Sequence, residues 1–372
     1  MTFRDLPDYP WDSLTPFAEK ARSHERGLID LSVGSPVDET PALIRDALAS
    51  ATDAHSYPLT IGTRDLRETI VAWFERRRGV SGLSVENVLP TVGSKELVAL
   101  LPLLLGVGEH DAVVHPRAAY PTYAVGARIA GATPVPCDDP AQWPENTRLV
   151  WINSPGNPDG QVAGVDRLRE IVARARELGA VVASDECYAA FGWESPWDRE
   201  AIPSLLDPRV VEGNRRNMLA LYSLSKESNL AGYRAAFVAG CRALIAQLTT
   251  ARKHAGLMVP APVQAAMVAA LNDDEHVAVQ RARYSRRRDV LKPALEAAGF
   301  RIDHSEAGLY LWGSEGRDAW ETIDRLAHCG ILAGPGSFYG DYSRDHVRFA
   351  LTASDDQIGE AARRLAQFGE ER

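Results

Sequence analysis

Short apolar segments alternate with helix-like segments through the middle of the chain, from about residue 90 to residue 240. The predicted strands are Asp111–His115, Leu149–Asn153, Ala180–Asp185, Met218–Tyr222 and Ala235–Ala239. Strands that are apolar throughout are buried on both faces, and strands separated by helices usually pair in parallel. The pattern therefore predicts an α/β fold with a mostly parallel central sheet flanked by helices.

Helices are predicted at Ser94–Leu105 and at Val165–Leu178, and Gly179 follows the second one as a helix C-cap requires. Ligands of open α/β sheets bind beyond the carboxyl ends of the strands. Functional residues are therefore expected where the predicted strands end.

The chain of 372 residues is long for one hydrophobic core, so two domains are expected. The C-terminal third has the pattern of a smaller α+β unit, with a helix at Arg281–Leu295, a strand pair at Arg301–Trp312, a Gly/Pro-rich loop at Ile331–Tyr339 and a strand at His346–Leu351. We predict a large domain of residues 45–255 and a small domain made of residues 1–44 and 256–372.

Charge and cysteine usage exclude several classes of protein. The net charge is -9, which gives no support for binding to nucleic acid or to a membrane surface. The cysteines are widely spaced and form no CxxC pair, so neither a metal site nor a disulfide framework is expected. The N-terminal segment lacks the pattern of a signal peptide, and Leu97–Val107 is about half the ~20 residues of a membrane span. We expect a cytoplasmic protein.

Polar residues follow two of the predicted strands. Asp185 ends the apolar run VVASDE; such a carboxylate is often a helix N-cap, but a partly buried one can keep a ring nitrogen protonated. Lys226 follows Ser223 and Ser225 in LALYSLSK; a lone lysine there is usually solvated, yet burial and cationic neighbours make its amine nucleophilic. Arg234 comes eight residues later, and its planar fork suits a phosphate group.

Three more segments end strands or begin helices. In TVGSKE, Ser94 and Lys95 begin a helix, where free N–H groups favour an anion, although this pattern is also a common cap. Asn157 in NSPGNPDG is either turn-forming or an amide donor to a ligand oxygen. Tyr120 in HPRAAYPTY is either a core residue or a flat surface for a stacked ring.

Together these segments resemble the class I/II aminotransferases of fold type I, which use pyridoxal 5'-phosphate. The resemblance covers nearly the whole chain in order, and its most specific part is SLSKESNLAGYR, with SDECY and NSPGNPDG upstream. It implies that Lys226 holds the cofactor as a Schiff base and then moves a proton, and that Asp185 pairs with the pyridinium nitrogen. The other implied cofactor contacts are Asn157 and Tyr188 at the phenolic oxygen, Tyr120 on the ring, and Ser94, Lys95 (by backbone amides), Ser223 and Arg234 at the phosphate.

The resemblance also implies substrate and subunit contacts. Arg348 in HVRFALT would bind the substrate α-carboxylate, and Gly34 in LSVGSP would belong to a loop that closes over the substrate. Tyr57 would reach the phosphate of a neighbouring subunit, which implies a homodimer with shared sites. Asp159 replaces a threonine of the usual family loop that is not itself catalytic.

A closer resemblance is to the actinobacterial type of succinyldiaminopimelate aminotransferase. The segments that carry it include LPDYPWDSL, SYPLTIGTRDLRE, RKHAGLMVPAPVQAAM and FRIDHSEAGLYLW. The implied reaction exchanges an amino group between N-succinyl-LL-2,6-diaminopimelate and 2-oxoglutarate, in lysine and diaminopimelate biosynthesis. Three alternatives stay open: an aminotransferase for aspartate, alanine or an aromatic amino acid, a C–S lyase of the same fold, and a regulatory module that senses the cofactor.

Two basic runs lie outside the implied site. Arg252, Lys253 and His254 form one, and four arginines within Arg283–Arg288 form the other. Charge runs are usually solvated helix faces, so we expect both to be at the surface.

Overall fold

The computed structural model describes residues 6–370. Its strands are β1 (Ile29–Asp30), β2 (Val88–Val92), β3 (Ala112–His115), β4 (Thr133–Pro136), β5 (Thr147–Asn153), β6 (Val181–Asp185), β7 (Met218–Ser223), β8 (Ala235–Gly240), β9 (Arg301–Ile302), β10 (Tyr310–Ser314), β11 (Ile331–Leu332), β12 (Gly334–Pro335) and β13 (Val347–Ala350). Its helices are α1 (Thr15–Arg22), α2 (Ala42–Ser50), α3 (Arg64–Arg78), α4 (Ser94–Leu104), α5 (Thr122–Ala130), α6 (Val165–Leu178), α7 (Pro208–Val211), α8 (Leu224–Glu227), α9 (Arg242–Ala255), α10 (Ala261–Asn272), α11 (Glu275–Ala297), α12 (Ala319–His328) and α13 (Asp355–Glu370).

The central sheet has seven strands in the order β2-β8-β7-β6-β5-β3-β4. Strand β8 runs antiparallel to β2 and β7, and the remaining pairs are parallel, so the predicted mostly parallel sheet is confirmed. The sequence pattern did not reveal β2 and β4, the two edge strands. Both contain proline, which an edge strand tolerates because one side of its backbone has no strand to pair with.

Helices cover both faces of this sheet. On one face, Trp73 of α3 packs against Tyr222 and Phe237, with ring centroids 4.5 and 5.3 Å apart. On the other face, Tyr123 of α5 stacks on Trp151 at 5.0 Å. The apolar strands are therefore buried between two helical layers, as their composition predicts. Helix α6 ends at Gly179 in the left-handed conformation, so the predicted C-cap is confirmed.

A second core surrounds a four-stranded antiparallel sheet in the order β12-β13-β10-β9. Strand β1 pairs in parallel with β11, so the N-terminal segment packs with the C-terminal third of the chain. Helix α10, by contrast, buries Met267 and Leu271 in the core of the seven-stranded sheet. The boundaries of the two domains remain a prediction. Among the helices of residues 6–370, none combines the length and the apolar content that a membrane crossing requires.

The prediction that both basic runs are solvated is wrong at two positions. Arg252 is completely buried and pairs with Glu96, whereas the neighbouring Lys253 is exposed. Arg287 is also buried, and it donates to Asp38 at 2.7 and 2.8 Å and to Asp355 at 2.6 Å. A guanidinium can be buried when its planar fork meets carboxylates, and a helix places only some members of a charge run on its outer face.

Candidate active site

The carboxyl ends of β5, β6 and β7 meet at one edge of the large sheet, as parallel strands require. A cavity of about 370 Å³ lies beyond them, between the two cores. Nearly all the residues predicted for the site line this cavity: Gly34, Ser94, Lys95, Tyr120, Asn157, Asp185, Tyr188, Ser223, Lys226, Arg234 and Arg348. Residues more than 300 positions apart along the chain therefore meet around one space.

Tyr57 is the one predicted site residue that the structure does not bring to the cavity. Its side chain is 94% exposed. Leu59, two residues along the same loop, is exposed as well. The predicted reach of Tyr57 into a neighbouring subunit remains a prediction.

Asp185 is buried at the end of β6, with its carboxylate at the floor of the cavity. The hydroxyl of Tyr123 donates to Oδ2 at 3.0 Å, and the backbone N–H of Cys187 donates to Oδ1 at 3.3 Å. Burial raises the pKa of Asp185 although these two hydrogen bonds favour the charged form. Among residues 6–370, no cation forms an ion pair with this carboxylate, and a protonated ring nitrogen in the cavity would supply one. Sequence reasoning missed Tyr123, three residues beyond the selected Tyr120.

Lys226 reaches into the same cavity from the short helix α8. Its Nζ donates a hydrogen bond to the backbone carbonyl of Gly34. A Cβ atom at Gly34 would lie 2.1 Å from the hydroxyl oxygen of Tyr310, so only glycine fits there. The amine of Lys226 therefore lies directly beside the backbone of the Gly34 loop, and both line the cavity.

An anion cradle forms at the N-terminus of α4. The helix begins at Ser94, after Gly93 at φ 75°, and the hydroxyl of Ser223 lies 2.9 Å from that of Ser225. A Cβ atom at residue 93 would lie 2.1 Å from Nη2 of Arg234, so the guanidinium packs directly on this turn. Free helix N–H groups, hydroxyls and a guanidinium together bind a phosphate group well.

Arg348 of β13 is 2% exposed and faces the cavity. Its Nη1 donates to Oδ1 of Asn157 at 2.8 Å, and its Nη2 donates to the carbonyl of Ser32 at 2.6 Å. Among the described residues, no carboxylate lies within 4.0 Å of this guanidinium, and its buried Nε has no partner. Buried charges are normally paired, so the site has the character of a carboxylate receptor.

Residues 26–365 match the family described as Aminotransferase class I and II. The chain belongs to this family. Its members use pyridoxal 5'-phosphate as cofactor. The chain is 53% identical to the 4-dedimethylamino-4-oxo-anhydrotetracycline transaminase OxyQ of Streptomyces rimosus, over 97% of this chain and 99% of that one. It is 51% identical to the probable aminotransferase Rv1178 of Mycobacterium tuberculosis, over 97% and 85% of the two chains.

A solved structure from Thermus thermophilus, described as a probable N-succinyldiaminopimelate aminotransferase, has the same fold. It superposes with a TM-score of 0.85 at 30% identity, over 97% of this chain and all of the other. The fold class and the aminotransferase family predicted from the sequence are therefore confirmed.

The residues of this aminotransferase fit pyridoxal 5'-phosphate on three independent features. The α4 cradle suits the phosphate, the uncompensated carboxylate of Asp185 suits the ring nitrogen, and the amine of Lys226 suits the aldehyde carbon. All three line one cavity, and Tyr120 supplies an aromatic face beside them. The chemistry of the donor set therefore matches the cofactor of the family.

The mouth of the aminotransferase cavity contains residues that the sequence did not single out. Tyr9 and Trp11 stack with ring centroids 5.5 Å apart, and both line the cavity. The Nζ of Lys95 lies 5.2 Å from the ring centroid of Tyr9 and 6.0 Å from that of Tyr120. Tyr9 and Trp11 belong to the segment LPDYPWDSL, which contributed to the resemblance, but no local pattern indicates where their rings lie.

Proposed function

We propose that this aminotransferase exchanges an amino group between N-succinyl-LL-2,6-diaminopimelate and 2-oxoglutarate. The observation that carries the proposal is a cation at each end of the cavity. Arg348 is buried without a carboxylate partner, and Lys95 stands at the mouth with no ion-pair partner among residues 6–370. A substrate with an α-carboxylate at one end and an acyl carboxylate at the other complements both charges.

The reaction centre lies between these cations. Pyridoxal 5'-phosphate, when bound, supplies a ring that withdraws electrons from the substrate α-carbon. Asp185 would keep the ring nitrogen of the bound cofactor protonated, and the amine of Lys226 would take the α-proton from the substrate and hold it until it is returned to the reactants. Arg348 holds the α-carboxylate through its fork, with Asn157 fixing the orientation of that fork.

The remaining residues of the set hold and enclose the reactants. Tyr188 and Asn157 would hydrogen-bond the ring oxygen of the cofactor, and Tyr120 would stack on its ring. Ser94, the backbone amide of Lys95, Ser223 and Arg234 would hold its phosphate. The Gly34 loop closes over the substrate and excludes water, which strengthens each of these polar contacts.

We also propose that the protein acts in the cytoplasm as a homodimer in which Tyr57 serves the partner's phosphate site. The exposure of Tyr57 and Leu59 supports this proposal, because it leaves both side chains available for a contact with a second subunit.

A second candidate is the amination of a ketone on a polycyclic ring. The 53% identity to the anhydrotetracycline transaminase supports it, as do the aromatic walls that Tyr9, Trp11 and Tyr120 provide at the mouth. Flat aromatic side chains stack on planar ring systems, so this mouth also suits a wide, rigid acceptor. The unpaired cation of Lys95 favours the acyl dicarboxylate over such a ring.

A half-reaction assay tests the proposal. The cofactor-loaded enzyme is mixed separately with N-succinyl-LL-diaminopimelate, aspartate, alanine and phenylalanine, and the cofactor absorption is followed. We expect kcat/KM for the succinyl substrate to be at least ~10-fold higher, which requires only ~1.4 kcal/mol of differential transition-state binding. Equal efficiency with a simple amino acid would contradict the substrate. Release of ammonia and pyruvate from cystathionine would indicate a C–S lyase, and turnover of a polycyclic ketone would support the second candidate.

A further inference from the structure

Tyr310 of β10 brings a hydroxyl group into the centre of the active site. Its side chain is 4% exposed, and its hydroxyl oxygen lies 3.1 Å from that of Tyr188. The backbone of Gly34 lies directly against this hydroxyl, and the Gly34 carbonyl accepts from Lys226. Tyr310 therefore contacts both Tyr188 and the Gly34 loop, and the Gly34 loop in turn contacts the amine of Lys226.

Positive charge dominates the surroundings of Tyr310. The Cζ atom of Arg348 lies 4.0 Å from its ring centroid, and Lys226 is the second cation that faces it. The other titratable groups around the two hydroxyls are Asp185, Cys187, Tyr120, Tyr284 and Tyr339. Burial alone would raise the pKa of Tyr310, but Arg348, Lys226 and the hydrogen bond with Tyr188 together lower it. Burial raises the pKa of Tyr188 well above its ordinary value.

The two cations set the direction of the hydrogen bond between the hydroxyls. Arg348 and Lys226 attract the lone pairs of the Tyr310 oxygen and repel its proton, so Tyr310 donates and the oxygen of Tyr188 accepts. The proton of Tyr188 then remains free for another acceptor. Coupled hydrogen bonds polarise one another, so a donated bond from Tyr310 also strengthens the bond that Tyr188 makes in turn.

We propose that Tyr310 is a positioning residue that aims the hydroxyl proton of Tyr188 at the ring oxygen of pyridoxal phosphate. The inference rests on the proposed function, because it takes Tyr188 as the partner of that oxygen. The bond from Tyr188 draws negative charge off the ring oxygen. Since that charge stabilises the proton on the Lys226 nitrogen joined to the cofactor, Tyr310 makes this nitrogen easier to deprotonate.

The test is a pH titration of the cofactor absorption in the loaded enzyme without substrate. Tyr310→Phe removes one oxygen atom and keeps the ring that packs on Arg348. We expect the titration midpoint to move upward by about half a pH unit. The substitution removes one neutral hydrogen bond, from Tyr310 to Tyr188, and this bond affects the cofactor only through Tyr188. Tyr188→Phe should move the midpoint further in the same direction.

The double variant separates positioning from a direct effect. If Tyr310 acts through Tyr188, then adding Tyr310→Phe to Tyr188→Phe produces no further shift. Tyr284→Phe is the matched control, because Tyr284 on α11 is a buried tyrosine near Tyr310 that does not line the cavity. Its midpoint should equal that of the wild type, as any general effect of losing a buried hydroxyl would appear there.

Each contrary result has its own meaning. A wild-type midpoint in Tyr310→Phe, with a clear shift in Tyr188→Phe, would overturn this inference and leave the proposed function intact. Additive shifts in the double variant would also overturn it. If neither single variant shifts the midpoint, Tyr188 does not hydrogen-bond the ring oxygen. That result would contradict both the inference and this part of the proposed site.

Discussion

The guanidinium of Arg252 donates to both carboxylate oxygens of Glu96, at 2.7 and 2.9 Å. Glu96 lies in the first turn of α4, two residues after Ser94, and Arg252 lies near the end of α9. The pair therefore fixes the helix whose N-terminus forms the anion cradle. Because Arg252 is completely buried, it has no access to water as a substitute for its partner.

We expect Arg252→Met to lower the free energy of unfolding by about 3 kcal/mol, because it leaves the Glu96 carboxylate unpaired in a largely buried site. Methionine keeps much of the apolar stem, so the change reports mainly on the charge. Denaturant-induced unfolding measures the effect. Lys253→Met is the matched control on the exposed side of the same helix turn and should change stability by less than about 0.5 kcal/mol. Equal effects of the two substitutions would contradict the role of the pair.

The covalent attachment point can be read directly. Borohydride reduction of the loaded enzyme, followed by peptide mapping, should place the cofactor on Lys226, because its amine lies in the cavity beside the anion cradle. Lys95 lines the same cavity and serves as the internal comparison. Label on Lys95, or on any other lysine, would refute the assignment of Lys226.

Asp185→Asn should reduce turnover strongly while the yield of folded protein is retained. The substitution removes the anion that pairs with the ring nitrogen, and loss of a buried ion-pair partner typically costs ~3–5 kcal/mol. Steady-state kinetics on enzyme confirmed to carry cofactor measures the loss. Turnover near that of the wild type would exclude the pairing.

The same substitution should stabilise the cofactor-free protein. Burial raises the pKa of Asp185, so the folded state binds its proton more tightly than the unfolded state does. The carboxylate therefore costs stability increasingly as the pH rises through the ordinary aspartate pKa, and the full cost is present above the raised value. Asparagine carries no such charge, so thermal unfolding of the cofactor-free variant at pH 7 should occur at a higher temperature. An unchanged or lower unfolding temperature of the variant would mean that other groups in the site already compensate the charge of Asp185.

The positions of Asp185 and Lys226 were predictable because Asp185 ends an apolar strand and Lys226 follows one, and parallel strands end at the same edge. Arg234 directly precedes β8, which is antiparallel to β7 and therefore begins at that edge. Tyr310 was not predictable in this way. Its hydroxyl acquires a role only where β10 meets Gly34 and Tyr188, and these contacts join segments that no local pattern links. The prediction that Arg252 is solvated was wrong for a related reason. Its burial depends on the carboxylate of Glu96, which lies more than 150 residues away along the chain.

A mixed dimer tests whether Tyr57 serves the neighbouring subunit. One chain carries Tyr57→Phe and the other carries Lys226→Ala. If Tyr57 acts across the interface, both defects fall in one site and the second site is native, so about half of the wild-type activity per dimer is expected. If Tyr57 acted in its own subunit, each site would carry one defect and activity would fall to the level of the parent variants. The exposure of Tyr57 favours the first outcome.

The last prediction concerns the distal end of the substrate. Lys95 Nζ stands over the rings of Tyr9 and Tyr120 at the mouth of the cavity, where an acyl carboxylate would arrive. A hydrogen bond to a charged group contributes about 1.5 kcal/mol or more, which corresponds to roughly tenfold in rate. The ratio of kcat/KM for the N-succinyl substrate to kcat/KM for the N-butyryl analogue should therefore fall about tenfold in Lys95→Met.

Using a ratio cancels any effect of the substitution on cofactor binding, because both substrates meet the same loaded site. The two acyl groups have the same length and differ only in a terminal carboxylate or methyl group. Lys95→Arg keeps the charge and should restore most of the preference, whereas Lys95→Gln keeps a hydrogen-bond donor and should not. An unchanged ratio in Lys95→Met would mean that the distal carboxylate binds elsewhere. It would not bear on the conclusion that the protein is an aminotransferase.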